Sequence, residues 1–132
     1  KTGEALVNLR KIYDGEIAYF RIDHIDRQGN RLSSQFISAG PTPGTVPSEN
    51  KVIANWETDQ WVALKFASDG PVRYRYTSID SGLGVAASFT ARAEGNLDAD
   101  TDTSLFERIG SINTSNGEIE GGAGIYKEDE LE

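Results

Sequence analysis

Between Ala5 and Phe20 the apolar positions return with a period near 3.6: Ala5, Leu6, Leu9, Ile12, Tyr13, Ile17, Tyr19 and Phe20 share one arc of a helical wheel. Asn8, Arg10, Lys11, Asp14 and Arg21 fall on the opposite arc. This spacing predicts an amphipathic helix over residues 2–23, with Thr2 as its cap and Glu4 in the first turn, where the helix dipole favours a carboxylate. Gly15 is expected to weaken the middle of that helix by about 1 kcal/mol relative to alanine. Glu16 lies inside the apolar arc and needs a partner, either a sheet arginine such as Arg73 or Arg75 or a set of backbone amides. Val7, Ala18 and Ile22 form a lesser apolar stripe on the back of the wheel, suited to packing against another subunit, with Lys11 beside them.

After the helix the pattern dissolves. Residues 24–57 read as a loop, because Gly40-Pro41-Thr42-Pro43-Gly44 and Val46-Pro47 oppose regular structure; Phe36 and Ile37 would pin it. Residues 58–65 read as a short helix, capped by Thr58 or Asp59, with Trp61 and Leu64 turned inward. From there the period becomes two. Val72 to Ile79 alternates, as do Val85, Ala87, Phe89, Ala91 and Ala93, whose small alanines would let the first helix lie close. A third strand is expected from Glu107 to Thr114, turning at Ser115-Asn116-Gly117 into Glu118-Ile119-Glu120. Sheet and acidic loop span residues 71–120, and residues 121–132 form a tail. One helix followed by an antiparallel meander predicts an α+β fold in a single domain.

Composition narrows the chemistry. The chain has 132 residues, a net charge of -8 and no cysteine, which excludes disulfides and thiolate sites. It also argues against a dedicated nucleic-acid surface, since phosphate contacts need clustered cations. In Arg73-Tyr74-Arg75-Tyr76 the strict alternation sends the two residue types to opposite faces. Methionine is absent as well, so an upstream segment is expected before Lys1. His24 is the only histidine, and no nucleophile pattern accompanies it, so an enzyme is not expected.

One stretch has ligand spacing. Residues 96–107 follow the twelve-residue EF-hand register, with Asn96, Asp98, Asp100, Asp102, Ser104 and Glu107 as candidate calcium ligands. Alternate spacing turns these oxygens toward one point, where a hard cation relieves the mutual repulsion of three aspartates. Thr101 replaces the usual glycine and no flanking helix pair is present, so the expectation is a lone structural calcium loop.

In order along the chain, Lys-Thr-Gly-Glu-Ala-Leu-Val-Asn-Leu-Arg-Lys-Ile-Tyr-Asp-Gly at residues 1–15 resembles the second half of the long N-terminal helix of type IVa pilins. Trp61-Val62-Ala63-Leu64-Lys65-Phe66 followed by Val72 to Tyr76 is similar to the first strand region of cysteine-free deltaproteobacterial pilins. Phe89 to Ala93, Leu105 to Arg108 and Ala123 to Glu132 continue the resemblance. It implies a pilin-like headpiece whose missing apolar half-helix anchors it in the inner membrane, head in the periplasm, before polymerisation with itself and other pilins into a cell-surface filament. Val7, Lys11, Ala18 and Ile22 would then contact neighbouring subunits. A calcium-stabilised secreted binding module and a type II secretion pseudopilin are the alternatives.

Overall fold

The computed structural model describes residues 2–22, 28–30, 34–47, 50–68, 70–96, 104–113, 115–116, 118–121 and 126–128. Helix α1 spans Thr2–Arg21. Its apolar arc enters the core as the periodicity requires: Ala5, Leu9, Ile12 and Tyr13 are buried, and Leu6, Ile17, Tyr19 and Phe20 are half-buried against them. Asn8 departs from the wheel. Assigned to the polar face, it is buried, and its amide Nδ2 donates to the Tyr76 hydroxyl at 3.1 Å. A wheel separates apolar from polar but does not show a polar partner 68 residues away. Glu4 does more than meet the helix dipole: its carboxylate accepts from the Arg73 backbone N–H at 3.0 Å and from the Tyr76 hydroxyl at 2.7 Å. The first turn of α1 is thereby tied to the sheet.

The remaining elements are strand β1 (Ala39–Thr42), helix α2 (Asp59–Ala63), strand β2 (Tyr74–Ser81), a 3-10 turn (Gly84–Ala86) and strands β3 (Ser88–Gly95), β4 (Ser104–Ile112), β5 (Ile119–Gly121) and β6 (Tyr126–Glu128). The sheet order is β1-β2-β3-β4-β5, β6 also pairs with β4, and every pairing is antiparallel. The fold is thus α+β. Tyr76, Ala93 and Phe106 lie in one cross-strand row, and the inner face carries Tyr74, Tyr76, Phe89, Ala91, Ala93 and Phe106, all buried. Helix α1 lies across β3 and β4, over the fully buried Ala91 and Ala93.

Helix α1 ends at Arg21 against an expected 23, β2 covers Tyr74–Ser81 against an expected Val72–Ile79, and three larger differences from the sequence reading follow. The Pro-Gly stretch holds an edge strand after all: β1 pairs with β2 through Ala39 and Thr42, with a register shift between them, and the peptides before Pro41 and Pro43 are cis. An edge strand needs N–H donors on one side only, so proline is tolerated there. Val85 is exposed in the 3-10 turn rather than buried in a strand, and β3 begins at Ser88. Strand β4 begins at Ser104, three residues before the expected Glu107. Burial of Phe106 opposite Ala93, its ring 5.9 Å from that of Tyr74, carries the ladder back into the acidic stretch. Helix α2 fits its reading: Thr58 caps it and accepts from the Trp61 N–H, while Trp61 and Leu64 are buried. The Trp61 indole N–H donates to the Thr42 hydroxyl at 2.9 Å and joins α2 to β1. Trp61 and Phe66 pack around Trp56.

Candidate interaction site on the first helix

Successive residues of a helix are turned by about 100°, so positions 7, 11, 18 and 22 fall within a sector of roughly 60°. In the folded chain Val7, Lys11 and Ala18 on the outside of α1, and Ile22 just past its end, all remain exposed. Val7 and Ile22 keep 55% and 52% of their surface in solvent, which is high for branched apolar side chains on a helix whose other face is buried. The inner and outer apolar stripes of the sequence are therefore two separate surfaces.

Lys11, Ala18 and Ile22 also form one wall of a groove of about 430 Å³. The opposite wall is the end of α2 and the residues after it, including Ala63, Lys65 and Ala67. Gly15 sets its width. A Cβ at that position would stand 2.3 Å from the Leu64 carbonyl oxygen, so only glycine allows the two helices to approach this closely. The second wall escapes the helical periodicity because it depends on how α2 ends. There the Lys65 N–H bonds the Val62 carbonyl at 3.0 Å and the Phe66 N–H bonds the Trp61 carbonyl at 3.0 Å. This pair is a Schellman cap, and it places Lys65 at φ 56°, a left-handed position usually held by glycine.

Next to Gly15 in α1, Glu16 is fully buried. Its Oε1 accepts from the Ile37 backbone N–H at 2.9 Å and its Oε2 from the Ser78 hydroxyl. Of the two expected partner types, the backbone amide is realised and the arginine is not: Arg75 pairs with Glu94 at 2.9 Å on the open face of the sheet. Burial pushes the Glu16 carboxyl up to about 7, and the nearby Asp80 charge adds to the shift, while the Ile37 and Ser78 hydrogen bonds oppose it. Glu16 thus joins α1, β2 and the segment before β1 through a single side chain.

The calcium candidates are spread over different structural settings. Asp98, Asp100 and Asp102 lie outside the described residues, as does His24. Asn96 directly follows β3, whereas Ser104 and Glu107 belong to β4. Ser104 is buried on the inner face and donates to the Gly95 carbonyl at 3.4 Å. Three residues further along, Glu107 lies on the other face and accepts from Arg92 Nε at 2.7 Å. At these last two ligand positions the chain departs from the loop register. Tyr74 and Tyr76 are buried while Arg75 sits half-buried in its ion pair, so the arginine and tyrosine types do part to opposite faces. No helix among the described residues is long and apolar enough to cross a membrane. Comparison of the chain with protein-family models, with curated proteins and with solved structures found no match.

Proposed function

We propose that this chain is the headpiece of a type IV pilin, a structural subunit that polymerises through α1 into a cell-surface filament. The observation that carries this reading is the exposed Val7, Ala18 and Ile22 stripe on a helix whose opposite arc is already committed to its own sheet. Such a helix has one face to fold with and one to assemble with. The resemblance of residues 1–15, 61–66, 72–76 and 123–132 to pilins supports the same reading. On this proposal the subunit waits in the inner membrane with its head in the periplasm, held by a segment preceding Lys1, and its partners are copies of itself and other pilins.

Val7→Ala and Ile22→Ala each remove exposed apolar surface, so folding stability should change by less than about 0.5 kcal/mol. Filament yield should fall clearly, measured by shearing filaments from cells and comparing them with the total subunit. Unchanged piliation in the double variant would remove α1 packing from the account.

A calcium-stabilised binding module is the second reading, favoured by three aspartates at alternate positions between residues 98 and 102. It requires a higher thermal midpoint in calcium than in chelator. Equal midpoints would dispose of it.

A further inference from the structure

We propose that the groove between α1 and the end of α2 receives the acidic segment 128–132 of a second copy, with Leu131 on the groove floor and flanking carboxylates on Lys11 and Lys65. This rests on the filament reading and deepens it, because the groove shares Lys11, Ala18 and Ile22 with the α1 stripe and the proposal names what a neighbour places there. The chain carries 21 acidic against 13 basic residues, yet this groove has two lysines, Lys11 and Lys65, against the single carboxylate of Asp14. Neither lysine is in an ion pair among the described residues. Lys65 is also held at φ 56°, where a side chain is disfavoured. Its ammonium is retained at the groove at the expense of local backbone preference.

Between the two cations the lining is aliphatic and small, with Ala18, Ala63 and Ala67 leaving room beside Ile22. The complement is an aliphatic side chain flanked by carboxylates. Residues 128–132, Glu-Asp-Glu-Leu-Glu, have that form, with Leu131 between Glu130 and Glu132. A neighbouring copy is the occupant that the filament reading supplies and that the charge fits.

The test titrates a blocked synthetic peptide of residues 125–132 into the 132-residue chain at low salt, following backbone amides by NMR. Saturable shifts are expected at Lys11, Ala18, Ile22 and Lys65, with affinity about tenfold weaker in Lys11→Glu. Lys65→Gly separates binding from folding: relief of the left-handed position should raise Tm by about 3 °C, while loss of the ammonium weakens peptide binding. Absence of shifts at millimolar peptide, shifts confined to other surfaces, or equal binding of a peptide with lysines in place of its acids would overturn the proposal. A subunit that forms filaments but does not bind the peptide removes the groove contact alone. Peptide binding by a chain that forms no filament upholds the groove and removes the pilus reading.

Discussion

Glu16→Gln will make the folded chain more stable at pH 8, by about 3 kcal/mol, and the gain will vanish toward pH 4. The Glu16 carboxyl has an ordinary value of 4.5 and is raised to about 7 in the fold. Between those values the folded chain holds a proton that the unfolded chain releases. The carboxyl's contribution is therefore most favourable below about pH 4.5, falls as pH rises from 4.5 to 7, and is level above that. Two and a half pH units at about 1.4 kcal/mol each give the magnitude. Glutamine is neutral throughout and keeps the geometry, with its oxygen accepting from the Ile37 N–H and its amide donating to the Ser78 hydroxyl. The charged and titratable groups facing this position are Asp80 on β2 and Tyr19 on α1, and both remain in the variant. Urea unfolding of the two proteins at pH 4.5, 6 and 8 checks this. A difference that stays constant with pH would mean that Glu16 is not held in a desolvated site.

Gly15→Ala will destabilise the chain by about 2 kcal/mol, against the gain of about 1 kcal/mol that helix propensity alone assigns to it. The added Cβ would meet the Leu64 carbonyl oxygen at 2.3 Å and its carbon at 3.2 Å. Both are backbone atoms at the cap of α2, so no rotamer change relieves the contact. Gly3, in the same helix, has no atom within 4 Å of the place a Cβ would take, and Gly3→Ala should gain about 0.5 kcal/mol. Thermal melts of the two variants beside the parent should move in opposite directions. A stabilised Gly15→Ala would show that α1 and α2 do not meet closely in solution, and the groove would lose its wall.

These two glycines show where sequence patterns suffice and where they stop. The arc from Ala5 to Phe20 and the alternation of Tyr74, Tyr76, Phe89, Ala91 and Ala93 are legible because burial selects apolar residues at the period of each element. The exposed stripe of Val7, Ala18 and Ile22 is legible for the complementary reason, since its side chains break the polar pattern of an outer face. What escaped depends on pairing between distant residues. β1 is hidden by Pro41 within it and Pro43 just after it, and an edge strand accommodates the first. Asn8 enters the core because the Tyr76 hydroxyl meets it there. The carboxylate of Glu16 takes Ile37 and Ser78, 21 and 62 residues away, rather than the arginines that charge alone would choose. Gly15 reads as a weak point in a helix until α2 is placed against it. The second groove wall at Lys65 follows from a helix cap with lysine at the position where glycine is the usual marker.

Intact-mass and N-terminal analysis of the protein purified from its native cells tests the central claim most directly. The filament account predicts a methylated phenylalanine followed by about two dozen apolar residues ahead of Lys1, enough to span a bilayer as a helix. A cleaved secretory signal immediately before this domain would contradict it, and the exposed stripe on α1 would then belong to a free module.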